Sequence, residues 1–145
     1  MVHNNPWKSY KQVATQTANP GQLVLMLFEG AIRFLEQARA GFAFEDPCER
    51  NTRVNNNVIR AQAIINELNR SLDMRSGGDL AITLNKLYDY FDRKLTESNL
   101  KKEEVGIEEV IHRITILKDA WAQMLLQQCA SATIPDMREE LCALR

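Results

Sequence analysis

Two histidines, three cysteines and pairs of adjacent glutamates are the side chains whose types could do chemistry in this chain of 145 residues. An imidazole can act as base, phosphoryl acceptor or metal ligand, a thiolate as nucleophile or ligand, and neighbouring carboxylates as an acid and base pair. Each of these needs convergent partners at a particular spacing. His3 stands near the start and His112 on a helical face turned away from the apolar stripe. Cys48, Cys129 and Cys142 are odd in number and lack metal-like spacing, and a reducing cytosol would keep them as thiols. There is no second Glu-x-x-His to pair with Glu109 and His112 as di-iron bundles require, no Cys-x-x-Cys, no phosphate-cradling glycine loop and no Gly-x-Ser-x-Gly elbow. Glu103 with Glu104, and Glu108 with Glu109, read as solvated charges at the favourable end of a helix dipole. The expectation is a protein that is not an enzyme, with no catalytic residues, no cofactor and no metal.

One chemical alternative competes with this expectation. A histidine phosphotransfer module is also a helical bundle with a solvent-facing histidine, and His112 could occupy that place. Such modules carry a lysine and a glycine three and four residues later, to neutralise the phosphoryl group and make room for it; here those positions are Thr115 and Ile116.

The net charge is −1, with 18 basic and 19 acidic residues, so no basic surplus points to nucleic acid and no acidic excess to disorder. The opening MVHNNPWKSYKQ lacks the apolar core of a secretory signal, and no apolar run approaches the roughly 20 residues of a membrane span. A cytoplasmic protein without membrane insertion is expected.

The elements that would position any site are helices. Asn19 is a good N-cap, Pro20 suits the first helical position, and Gln22 completes the pattern of a capping box, so a helix should run from Pro20 to about Ala40, before Gly41 and Pro47 break the pattern. Val54, Val58, Ala61, Ile65, Leu68 and Leu72 mark a second from about Glu49 to Met74, closed by Gly77 and Gly78. Leu80, Leu84, Leu87, Tyr88, Phe91 and Leu95 mark a third from about Asp79 to Leu100, and a polar loop from Lys101 to Gly106 follows. Ile107, Val110, Ile114, Leu117, Trp121 and Leu125 mark a fourth, fading near Gln128. Short connections make neighbours antiparallel, so the expected fold is all-α, an antiparallel up-down-up-down four-helix bundle over residues 19–128. Trp7, Tyr10, Val13, Ala14 and Thr17 suggest a short amphipathic segment within 1–18, and 129–145 a tail with a possible short helix.

Apolar residues exceed what the bundle needs. Leu23, Leu27, Ala31, Phe34 and Ala38 supply one stripe on the first helix, yet Leu25, Phe28, Ile32 and Leu35 form a second line. Either that helix is buried more deeply than its neighbours or partly covered by the N-terminal segment, or it offers a groove to another helix. Ile59 and Ala63, Ile82 and Tyr90, and Ile116 and Leu126 also fall off the stripes. A cluster of such side chains could hold a segment of a partner, each contributing on the order of 1.5–3 kcal/mol on burial.

Four pieces in order, YKQVATQTANPGQLVLMLFEGAIRFLEQA from Tyr10, RAQAIINELNRSLD from Arg60, GGDLAITLNKLYDYFDRKL from Gly77 and IEEVIHRITILKDAW from Ile107, resemble the FliS family of flagellar export chaperones. The chain departs from the family pattern where LFEGA replaces Leu-Tyr-Asp-Gly-Ala and where Arg75 stands at a commonly acidic position. The resemblance implies a four-helix bundle that binds the disordered C-terminal segment of flagellin, stops it polymerising in the cytoplasm, and delivers it to the membrane export gate. It implies a monomer or weak homodimer, with an N-terminal segment able to lie over part of the client surface. Carried onto this sequence, the contact residues are Tyr10, Val13 and Thr17 in that segment, with Ala14 sharing its gating role, Arg60, Ile64 and Leu68 on the second helix, and Leu84, Leu87, Tyr88, Tyr90 and Asn99 on the third.

Overall fold

The computed structural model describes residues 19–143, and their side chains as far as 130. Four helices follow one another: α1 Pro20–Gly41, α2 Pro47–Arg70, α3 Gly78–Lys101 and α4 Glu104–Ala143. Among the described residues helix α1 packs closely on α2 and α4, and α3 on α2 and α4, so the diagonal pairs are the more distant ones. That is the expected all-α four-helix arrangement. The N-terminal segment, with Tyr10, Val13, Ala14 and Thr17, lies outside the described residues.

Helix starts follow local chemistry. The Asn19 side chain accepts from the backbone N–H of Gln22 at 2.8 Å, and Pro20 opens α1 without an N–H to satisfy. The same device starts α2, where Asp46 accepts from the Glu49 N–H at 3.1 Å and Pro47 begins the helix rather than breaking it.

The second helix ends at Arg70, four residues before the expected Met74. Ser71 turns its hydroxyl back to the Leu68 carbonyl, and Asp73 organises the turn by accepting from the backbone N–H groups of Arg75 and Ser76 and from the Ser76 hydroxyl. The glycine pair starts α3 instead of closing α2. Gly78 adopts φ +57°, open to glycine at little cost, while a Cβ at Gly77 would come within 2.4 Å of the Asp73 carbonyl oxygen.

The expected loop 101–106 is almost absent. Lys102 takes a left-handed conformation at φ 54° and α4 begins at Glu104. Gly106 lies inside α4, buried against α3; a Cβ there would sit 1.9 Å from Ser98 Oγ. Close approach of two helices is what this glycine supplies. The fourth helix then continues past Gln128 to Ala143.

The α2/α3 seam carries three polar rungs, a heptad apart on each helix. Asn99 donates to Asn55 at 2.9 Å, Gln62 to the Asp92 carboxylate at 3.1 Å and the Thr96 hydroxyl at 2.8 Å, and Asn85 to Asn69 at 2.7 Å while Asn69 donates to Asp89 at 3.0 Å. Between and behind them lies the core, with Phe91, Leu35, Ile64, Ile65, Leu68, Leu95, Ile107 and Ile114 as its largest buried side chains.

On α1 both apolar lines turn inward in part: Leu27, Phe28, Ala31, Leu35 and Ala38 are buried, whereas Leu23 and Phe34 are half-buried. Deeper burial therefore accounts for Phe28 and Leu35. Ile59, Ile82, Ile116 and Leu126 remain exposed.

Gly106→Ala is expected to cost about 1–3 kcal/mol by overpacking, read as a lower urea midpoint, and the additional change Ser98→Ala to recover most of it by removing the hydroxyl in the way. The hydrogen bonds from Ser76 hold Asp73 below its ordinary pKa of 3.8, so the turn gains stability above that value and loses it as pH falls through the lower folded value. Amide protection factors at Arg75, Ser76 and Gly77 should accordingly fall in acid, and Asp73→Ala should abolish that dependence.

Candidate functional site

An apolar groove of about 410 Å³ opens at the end of the bundle where α2 stops. The stripe of α3 begins with Leu80, beside the turn that follows α2, so its first members have no turn of α2 to cover them. Leu80, assigned to the core from its spacing, is 65% exposed on the groove lip, and Leu84 is half-buried in its wall. Helix α4 supplies the facing wall through Leu117, Ala120, Trp121 and Met124. Phe28 and Val24 of α1, with Leu68 and Leu72 from the end of α2, complete it.

The groove is held by contacts behind its surface. The Trp121 indole N–H donates to the Gly21 carbonyl at 2.9 Å, and its ring meets Phe28 edge-on with centroids 6.5 Å apart. Tyr88 is buried, and that burial raises its phenol well above the ordinary value of 10.0, so the wall stays neutral. Only Ser71 and Asp73 bring polar side chains to the rim, and both are engaged in the turn. Such a lining can take up apolar side chains.

One turn further along the α3/α4 seam the surface becomes a shallow depression lined by Thr83, Lys86, Leu87, Tyr90 and Arg113. The Tyr90 hydroxyl donates to the Glu109 carboxylate, which raises the phenol pKa; Arg113 pairs with the same carboxylate at 3.3 Å and lies 5.6 Å from the centre of the Tyr90 ring. Glu109 is thus a fastening for two side chains, beyond a charge at a helix start.

The residues named from sequence separate into several places. Leu68, Leu84 and Tyr88 meet at the groove, and Leu87 and Tyr90 at the depression beside it. Ile64 is fully buried in the core. Arg60 lies away from the groove on the α1/α2 side, its guanidinium 5.9 Å from the centre of the Phe34 ring. Asn99 forms a rung of the α2/α3 seam. Tyr10, Val13 and Thr17 lie outside the described residues. Sequence reasoning missed Val24 and Met124 and gave Leu117 and Trp121 only a core role; the available signal was that α3's stripe starts before α2 can cover it.

His112 is exposed, and the Thr115 hydroxyl, where the phosphotransfer pattern has a lysine, is turned back to the Ile111 carbonyl. Among the described residues no group of three or more His, Cys, Asp or Glu side chains is placed to hold a metal ion, and no helix is long and apolar enough to cross a membrane.

The described residues form a helical bundle with an apolar groove at one end. The family described as flagellar protein FliS matches residues 3–128, and the chain belongs to that family. It is 35% identical over 125 residues to the flagellar secretion chaperone FliS of Bacillus subtilis, covering 86% of this chain and 90% of the relative. The Salmonella typhimurium protein of the same name is 35% identical over 121 residues, 81% of this chain and 87% of its own length. The Escherichia coli one is 34% identical over 124 residues, 82% and 88% respectively.

Trp121→Phe keeps the ring in the groove wall but removes the N–H donated to Gly21. It is expected to destabilise the fold by about 1 kcal/mol, and an unchanged urea midpoint would show that this bond contributes nothing net.

Proposed function

We propose that this protein is a cytoplasmic chaperone for flagellar secretion. It takes the disordered C-terminal segment of flagellin into the groove, keeps it from polymerising prematurely, and hands it to the export gate. The observation that carries the reading is the apolar groove of about 410 Å³ beside Trp121, in a chain whose relatives are named secretion chaperones. No reaction is required. Apolar side chains of the client leave water for the groove, and the client orders as it binds, which moderates affinity per unit area and keeps release feasible. Occupying the surface through which flagellin subunits would pair is sufficient to block their assembly.

On this reading Leu68, Leu84 and Tyr88 contact the client at the groove and Leu87 and Tyr90 beside it, while Arg60 and Asn99 would serve a client that wraps further round the bundle. Tyr10, Val13, Ala14 and Thr17 would form a segment that competes with the client for part of the surface. The protein would act as a monomer or weak homodimer, binding one client segment.

Titration calorimetry with a flagellin C-terminal fragment tests the reading. One-to-one binding with helix gained on mixing is expected, and no detectable heat at tens of micromolar would refute it. Leu84→Glu puts a charge on the half-buried wall and should weaken binding at least ten-fold, about 1.4 kcal/mol; circular dichroism should show that the helices remain.

A further inference from the structure

The groove and the depression are two hollows lined by successive turns of α3 and α4, and they differ in chemistry; together they make a trough of two parts. At the deep end the walls are Leu84 and Leu117 with Trp121 behind; one helical turn along, Lys86 and Arg113 flank the rings and methyls of Tyr90 and Leu87. Charge there is unbalanced. Arg113 is matched by Glu109, which also holds the Tyr90 hydroxyl, whereas Lys86 is exposed and has no ion-pair partner among the described residues.

We infer that the trough reads a client segment with a fixed direction, one whose apolar anchor fills the deep end and whose acidic side chain reaches Lys86 and Arg113. This rests on the groove being the client site. Trp121 and Arg113 are eight residues apart on one helix, about 12 Å at the rise of an α-helix. The acidic residue therefore stands about two helical turns from the anchor, or three to four residues away where the client is extended. A segment laid in the opposite direction would carry its acid away from the cations. The apolar end supplies affinity and the cationic end supplies orientation, since exposed ion pairs are individually weak but like charges are disfavoured.

The experiment is a double-mutant cycle on the full chain and the flagellin C-terminal fragment, followed by calorimetry at low salt. Each Asp and Glu of the fragment is changed in turn to its amide, against the wild-type chain and against Lys86→Gln/Arg113→Gln, whose melting curve serves as the folding control. One acidic position should lose about three- to five-fold in affinity with wild type. That loss should vanish in the double variant and in 0.5 M salt. If the fragment binds but no acidic position couples to Lys86 and Arg113, the directional reading is overturned while the groove remains the client site. If the fragment does not bind the wild-type chain at all, both fall together.

Discussion

Three rungs of side-chain hydrogen bonds fix α3 against α2, and the rest of the site depends on that register. An apolar seam alone tolerates sliding because one methyl group packs much like another, whereas these half-buried amides meet their partners in one register only. Asn55 with Asn99, Gln62 with Asp92 and Thr96, and Asn69 with Asn85 and Asp89 recur at the heptad interval, about 10.5 Å of helix. A slip of one turn would leave all three rungs unpaired. With the register set, the stop of α2 at Arg70 and the Asp73 turn leave the first turns of α3 facing open space. The groove is the result of a helix that ends early opposite one whose apolar stripe has already begun.

The helix count and most boundaries were legible because caps and periodicity act within a few residues of chain. Asn19 and Pro20 opened α1 as expected. Asp46 and Pro47 repeat that device, and reading Pro47 as a breaker overlooked the aspartate before it. The end of α2 was placed four residues late because Leu72 prolongs the apolar stripe, while the Asp73 side chain that bends the backbone away acts through hydrogen bonds invisible to periodicity. The loop after α3 was overestimated because its polar residues look like coil. Gly106 is there for a close approach to Ser98, a tertiary demand that a single sequence does not display.

The candidate site was legible only in part, for a related reason. Spacing identifies which residues share a face, but not how far along that face a neighbour extends. By spacing Leu80 and Leu84 therefore read as core, although both border the groove, and only the family resemblance marks Leu84 as a contact. Ile64, taken as a contact through family resemblance, lies fully in the core. The second apolar line of α1 illustrates the opposite case. It looked like a surplus available to a partner, yet Phe28 and Leu35 are consumed inside because α1 packs on both α2 and α4.

Phe28, Leu68 and Tyr88 belong to the hydrophobic core and also line the groove, so the binding surface and the folded interior share the same atoms. Anything that occupies the groove and binds the folded chain alone raises its unfolding free energy by mass action. On the function proposed above, the supply of client would then govern how long the chaperone itself survives. An unoccupied molecule would be the one with an uncovered apolar cleft and the larger unfolded fraction open to proteases. The shared surface would thus tie the abundance of the carrier to that of its cargo without any dedicated regulator.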